Sequence, residues 1–427
     1  MSEPKRVLLA GHHIGTLLRD GRRGPRLTYE PDTDRNAATT PLSVSLPRPQ
    51  QTHRGESVEF FFDALLPDRN SVRRRWGQEF GVDSTDIVAL LGAVGQDLPG
   101  AVQVLDADST GPGGTRHDTD DDVEWLTDDD VATLIRNLKT DDTAWHGVGQ
   151  PGCFSLAGAQ RKTALLRRNG RWGRPAGRTP STHILKPDIG PGFKGYAEVE
   201  HFALTLATEL GLSAARSTLE RIDGEPVVIV ERFDRRQVPG QILRLHQEDG
   251  CQALGRNPRK RYEKEGGPSA ADLADVLWSA GRSPAHDVAR FADYLIFQWL
   301  IAGTDAHARN YSFLHERTGV TLSPLYDVAS VLPFIPDKTE SVHLAMKVGG
   351  TALADAIGVR HWQTQAEGLD LAPDAVVNRA RVLVDALEDA VSRTVARVLQ
   401  AGVAGEVTQT VAALIADRAG RCRTQLA

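Results

Sequence analysis

Asp305, His307, Asn310 and Asp327 fall within one stretch, IAGTDAHARNYSFLHERTGVTLSPLYD, directly behind the apolar run FADYLIFQWLI. These residue types can do complementary chemistry. A free carboxylate accepts a proton from a hydroxyl, while an amide oxygen ligates a hard cation without adding charge. An apolar helix would give such a polar cluster a rigid mount.

Transfer of a phosphoryl group from ATP calls for this kind of inventory. Little covalent chemistry is required of the protein, which must hold the phosphates, neutralise their charge with a lysine and Mg²⁺, and orient an attacking hydroxyl with a carboxylate. Asp305 precedes Asn310 by five residues, the aspartate-to-asparagine offset of a kinase catalytic loop. Asp327 follows a short hairpin, where a second metal-binding carboxylate belongs. Upstream, the small-residue loop SLAGAQ around Gly158 would bring backbone amides to phosphates, and Lys186, ending the β-rich run THILKP, would pair with phosphate oxygens. Glu198 and Glu200, both in the first turn of the next helix, are equal candidates to hold that lysine. Each feature also has an ordinary reading: a tight turn for SLAGAQ, a solvated lysine, acids favoured at a helix N-terminus, a helix stop at TDAHARN, a hydrogen-bonded His307. Their order along the chain lifts the functional reading above these.

The elements that must position these groups are legible from patterning. RVLLAGHHIGTLLRD and RLTYE read as short antiparallel strands broken by GRRGP. SVEFFFDALLPD, SVRRRWGQEFG, DSTDIVALLG and TDDDVATLIRNL follow as capped amphipathic helices. KTALLRRNGRW is a hairpin turned at Asn169-Gly170, and STLERIDGEPVVIVERF another turned at Asp223-Gly224. Between these, EVEHFALTLATELG is a helix stopped at Gly211. After Leu245 helices dominate, with the hairpin YSFLH-ERTG-VTLSPL as the expected exception.

Composition bounds the class. At 427 residues the chain exceeds a single-domain size, and a net charge of -6 argues against stand-alone nucleic-acid binding. Cys153, Cys251 and Cys422 form no CxxC pair, which excludes a cysteine zinc site and fits a reducing compartment. The acidic segment with Asp118, Asp120 and Asp122 is not a calcium loop, because Val123 stands where glycine and Asp129 where glutamate is needed. With no membrane-length apolar run and no signal-like N-terminus, a cytoplasmic protein is expected.

The motifs also carry a family resemblance. FSLAGAQRKTALL, THILKP, VERFDRR, LRLHQEDGCQALG, RYEKEGGPS, QWLIAGTDAHARNYSFL, LSPLYDVAS and LAMKVGG, in that order over residues 150 to 350, with FFDALLPDRNSVRRRW before them, resemble the HipA family of bacterial serine/threonine kinases. That family supplies the toxin half of HipBA-type toxin-antitoxin modules. The resemblance implies an α+β, protein-kinase-like two-lobed fold, with a HipA-type N-terminal subdomain over 1–149, a β-rich N-lobe over 150–245 and a helical C-lobe over 246–427. It makes Asp305 the catalytic base, and Asn310 and Asp327 the Mg²⁺ ligands. Ala157, Gly158, Ala159, Gln160, Arg161 and Lys162 become the phosphate-facing loop, and Lys186 the phosphate lysine. Glu231 and Phe233 would meet adenine through their backbone, Asp234 would lie near the ribose, and Glu200 becomes the lysine-positioning glutamate. His307 falls among the ATP-facing positions without a firm role. Ser155 matches a serine whose autophosphorylation is associated in that family with loop ejection and loss of ATP binding.

The implied activity is ATP- and Mg²⁺-dependent phosphorylation of a protein such as an aminoacyl-tRNA synthetase. The implied partner is a small helix-turn-helix HipB-type antitoxin, with DNA met only through that partner and no membrane. Arg161, Val199 and Gly250 depart from the family pattern without removing a catalytic group. Two other readings stand beside it: a kinase of a small hydroxyl compound, and a non-catalytic corepressor scaffold using Arg256, Arg259, Lys260 and Arg261.

Overall fold

The computed structural model describes residues 3–31, 40–106, 123–141, 143–146, 154–176, 179–188, 190–335, 341–402 and 405–427. The acidic residues 118, 120 and 122 and Cys153 lie outside them. The chain divides into two compact units of α+β character, the first comprising Met1–Lys186, Arg232–Arg259 and Phe313–Gly319, the second Pro187–Glu231, Lys260–Ser312 and Val320–Ala427.

In the first unit, β1 (Lys5–Leu9), β2 (His12–Arg19), β3 (Pro25–Tyr29), β4 (Thr52–Arg54) and β5 (Val102–Asp106) form an antiparallel sheet in the order β4-β3-β2-β1-β5. Helices α1 (Glu56–Asp63), α2 (Asn70–Phe80) and α3 (Ile87–Val94) follow β4. Asp86 caps α3 by accepting from the amides of Val88 and Ala89, the role expected of an aspartate before an apolar run. Helix α4 (Asp128–Thr140) opens with a reciprocal Thr127–Asp130 capping box. Strands β6 (Val123–Trp125), β7 (Thr163–Arg168), β8 (Arg171–Pro175) and β9 (His183–Pro187) run in the order β9-β7-β8-β6. The β7–β8 turn places Asn169 and Gly170 at φ 52° and 77°, as an Asn-Gly hairpin turn requires.

This unit is closed by β12 (Arg235–Val238), β13 (Gln241–Arg244), β14 (Gln247–Asp249) and the one-turn helix α6 (Gly250–Ala253). At its centre lies a buried charge network. Asp97 accepts from Arg235 at 2.7 Å and from Ser181 Oγ at 2.6 Å, and pairs with Arg232 at 3.2 Å. Asp234 pairs with Arg232 and Arg235 and accepts the Gly100 amide at 2.7 Å. Burial alone would raise the Asp97 pKa, but Arg235, Arg232 and Arg244 overcome it and hold the carboxyl well below the usual range. For Asp234 the same contest between burial and the guanidiniums ends at about 2.

In the second unit, α5 (Tyr196–Glu209) precedes the hairpin β10 (Ser217–Ile222) and β11 (Glu225–Glu231), turned at Asp223-Gly224 with φ 55° and 77°. Helices α7 (Ala270–Ala280) and α8 (Pro284–Ile301) lead to the polar loop; where the sequence predicts a hairpin, β15 (Ser312–Glu316), which falls almost wholly in the first unit, and β16 (Gly319–Leu322) follow. A second hairpin, β17 (His343–Val348) and β18 (Thr351–Leu353), adds to the one exception expected in the helix-dominated C-terminal stretch. Gly349 and Gly350, at φ 53° and 91°, make its turn, a signal present in LAMKVGG but read only as a motif. Helices α9 (Val359–Gly368), α10 (Pro373–Gln400) and α11 (Glu406–Gln425) complete the unit. Among the described residues no helix is long and apolar enough to cross a membrane.

Replacing Asp97 with alanine leaves Arg232 and Arg235 buried without their shared anion. Denaturant unfolding should show a loss of roughly 3–5 kcal/mol; a loss below about 1 kcal/mol would contradict the account. Because both carboxyls have lowered folded-state pKa values, their stabilisation is complete above the ordinary carboxylate pKa of about 4. It should therefore be lost only as the pH falls from there through about 2, the value for Asp234.

Candidate active site

Helix α8 is the mount. Its last eight residues, Tyr294 to Ile301, are all buried, so it is apolar on every face and locked in the interior of its unit. Trp299 donates its indole N–H to the Ala354 carbonyl at 3.0 Å, and Arg418 donates to the Trp299 carbonyl at 3.0 Å. The helix ends at Ala302, a left-handed residue whose amide reaches back to the Gln298 and Trp299 carbonyls. A non-glycine residue there carries backbone strain, just ahead of Asp305.

The loop then folds around Asp305. Its carbonyl accepts the Asn310 side-chain amide at 2.6 Å and the His307 backbone amide at 2.8 Å. With the Asn310 nitrogen engaged, its amide oxygen is the group that can ligate a cation. The Asp305 side chain is 58% exposed, open to an incoming hydroxyl, and its carboxylate accepts the Tyr262 phenol O–H. His307 packs edge-on to the Tyr262 ring, centroids 4.9 Å apart, with Nε2 at 4.0 Å from Asp305 Oδ1.

Asp327 is placed from the other side. The amide of Leu325 donates to the Ser213 carbonyl and that of Ala215 to the Leu325 carbonyl, at 2.9 and 2.8 Å. Tyr326 donates its hydroxyl to the Arg309 carbonyl at 2.8 Å, and its oxygen lies 2.6 Å from Ser312 Oγ. The residues preceding Asn310 and Asp327 are thus tied directly together. Asp327 itself has φ 56°, the left-handed region. Burial, then the charges of Asp327, Glu200 and Asp305, push the Tyr196 phenol well above its usual value. The charges of Asp327, Glu200 and Asp305, all in the second unit, thus act on one buried tyrosine.

That donor set suits a hard cation. No group of three or more His, Cys, Asp or Glu placed for a metal occurs among the described residues. Mg²⁺ bound with a nucleotide takes most of its ligands from phosphate and water, however, and needs only one or two protein oxygens. The two helix glutamates, equivalent by sequence, separate here. Glu198 accepts from the Gly405 amide and Thr408 hydroxyl at 3.2 Å, a link to α11, whereas buried Glu200 acts on Tyr196.

In the first unit, Ser155 is fully buried, donating its hydroxyl to the Leu65 carbonyl at 2.7 Å and its amide to the Asp97 carbonyl at 3.0 Å. Gly158 has φ 98°, and its carbonyl accepts the Asp68 amide at 3.1 Å. Lys162 folds back onto the loop, donating to the Ala157 carbonyl at 2.8 Å over the Trp145 ring. Arg161 donates to the Lys139 carbonyl at 3.0 Å, so this departure from the family pattern docks the loop on α4. Lys186 is buried at the end of β9. Asp234, expected beside a ribose, has both carboxylate oxygens engaged by Arg232. Glu231 donates its backbone amide to the Arg216 carbonyl at 2.8 Å, and Phe233 is half-buried.

Sequence reasoning missed Tyr196, Tyr262 and Tyr326. Tyr262 and Tyr326 lie in the quoted stretches RYEKEGGPS and LSPLYDVAS, but a tyrosine carries no spacing signature, and its role depends on long-range contacts.

Comparison with known proteins assigns the class. Residues 5–105 match the HipA N-terminal domain and residues 154–398 the HipA-like C-terminal domain. The chain is 34% identical over 386 residues to "Putative kinase Y4mE" of Sinorhizobium fredii, covering 90% of each. It is 29% identical over 310 residues to the "Serine/threonine-protein kinase toxin HipA" of Shewanella oneidensis, covering 68% of this chain and 67% of that protein. The fold is shared with the HipA of Shewanella oneidensis MR-1 solved with HipB and its operator DNA, at TM-score 0.80 and 22% identity, over 99% of this chain and 96% of that one. The protein is a kinase with the HipA α+β fold. It belongs to the HipA family.

Tyr326→Phe should remove the clamp between Arg309 and Asp327, costing about 1 kcal/mol of stability. Hydrogen exchange at residues 309–312 and 326–328 should accelerate; unchanged exchange there would contradict the clamp.

Proposed function

We propose that the chain is an ATP- and Mg²⁺-dependent serine/threonine protein kinase, with Asp305 accepting the proton of the acceptor hydroxyl. The observation that carries this reading is the rigid mounting of Asp305, Asn310 and Asp327 behind α8, with the Asp305 carboxylate exposed. Bound Mg²⁺ would neutralise charge on the transferring phosphates. Asn310 and Asp327 would be its protein ligands. The loop from Ala157 to Lys162, with Lys186, would bind phosphate. Glu200, Glu231, Phe233 and His307 keep the roles implied by resemblance, and a ribose contact from Asp234 would require it to share an oxygen now held by arginine.

Ser155 is proposed as an off switch. Its hydroxyl is buried against the Leu65 carbonyl, so a phosphate there would have to displace the segment that carries it. The biological role proposed is that of a type II toxin, acting in the cytoplasm on a translation component such as an aminoacyl-tRNA synthetase. A relative named as a kinase toxin supports the toxin role. The HipA structure solved with HipB and operator DNA supports a small DNA-binding antitoxin as partner. The division at 149/150 and 245/246 is proposed with it; family matches that end at 105 and begin at 154 support the first boundary, while the match over 154–398 runs across the second.

Peptide mass spectrometry after incubation with Mg-ATP tests this. Phosphate on Ser155 is expected for the parent, none for Asp327→Asn and none with EDTA. Ser155→Ala should lose that site yet still label an added protein acceptor. Parent protein that labels neither itself nor an added protein, or Asp327→Asn that labels like the parent, would overturn the reading.

A further inference from the structure

Tyr262 lies on a tightly built turn. Its carbonyl accepts the amides of Glu265 and Gly267 at 2.9 and 3.0 Å. A Cβ at Gly267 would come within 2.2 Å of the Lys260 carbonyl, so only glycine fits there. The turn is fastened on two sides. The Ala308 amide donates to the Arg261 carbonyl at 3.3 Å, joining it to the Asp305 loop, and the Lys347 amide donates to Glu263 Oε2 at 2.7 Å, joining it to β17. The ring is braced edge-on by His307. The Arg261 guanidinium lies 5.5 Å from the ring centre. A carboxylate can only accept, so the phenol hydrogen is directed at Asp305 Oδ1.

We propose that Tyr262 is a positioning residue for phosphoryl transfer: its O–H, with the ring braced by His307, holds Asp305 Oδ1 so that Oδ2 faces the acceptor hydroxyl. The inference rests on the reading of Asp305 as the base. In the transfer step the hydroxyl proton passes to Oδ2, the acceptor oxygen forms its bond to the γ-phosphorus, and the bond from that phosphorus to the ADP oxygen breaks. Tyr262 donates throughout and exchanges no proton. Without it the exposed Asp305 side chain would sample rotamers that present no oxygen to the substrate. His307 thereby gains a function, as the wall that keeps the tyrosine ring in place.

The test is a double-mutant cycle on the full chain, with radiolabelled ATP, Mg²⁺ and casein as hydroxyl acceptor, and self-labelling as a second readout. Tyr262→Phe should lower turnover roughly tenfold, with KM for ATP and binding of a fluorescent ATP analogue unchanged. In the Asp305→Asn background the same change should lower the residual rate no further, because the group it acts through is gone. Equal losses from Tyr262→Phe in both backgrounds, no loss in the parent, or weakened analogue binding would overturn the proposal. Parent-level transfer by Asp305→Asn would instead overturn the base assignment beneath it.

Discussion

A general base, the role proposed for Asp305, is useful only if its carboxylate stays fixed while remaining open to the substrate, and the second unit has the features this constraint asks for. Asp305 is fixed through its backbone, whose carbonyl takes two hydrogen bonds from its own loop. The loop is fixed because the last two turns of α8 behind it are buried and tied through Trp299 to the 3₁₀ turn at Ala354 and to α11. Tyr326 extends the same rigidity to Asp327. An exposed side chain on an immobile backbone is the arrangement that lets proton transfer proceed without reordering the protein.

The first unit solves a different problem with different means. Its loop from Ser155 to Lys162 is held by individual hydrogen bonds to backbone carbonyls, each worth about 1 kcal/mol net. The element beneath it is far more strongly fixed, since Asp97, whose carbonyl receives the Ser155 amide, is gripped by buried arginines. A weakly held loop on a firmly held base can come away locally while the unit stays folded.

How much of this could be read from sequence depended on whether the signal was local. The Asn169-Gly170 and Asp223-Gly224 turns, the α5 pattern and the apolar approach to Asp305 were legible because a turn or a helix face is specified by neighbouring residues. The offset from Asp305 to Asn310 was legible because both belong to one short loop. Asp97 was invisible, since its partners Arg232 and Arg235 lie more than 130 residues away. Tyr262 was hidden for the same reason: it is separated from Asp305 by 43 residues, and the turn that carries it has no helical or strand period. The β17–β18 hairpin was overlooked because LAMKVGG was read only as a motif, and so short a run has no periodicity that assigns it to a strand. The tie between Glu198 and Glu200 was settled in favour of Glu200 only by resemblance; the structure adds that Glu198 is tied to α11.

The central claim is that Asp305 serves the chemical step and not nucleotide binding. Rapid-quench measurement of a single turnover, with enzyme in excess over radiolabelled Mg-ATP, separates the two. Asp305→Asn should bind Mg-ATP with the affinity of the parent and transfer the phosphoryl group at least about 100-fold more slowly. Transfer at the parent rate, or a slow rate explained entirely by weaker binding, would contradict the account.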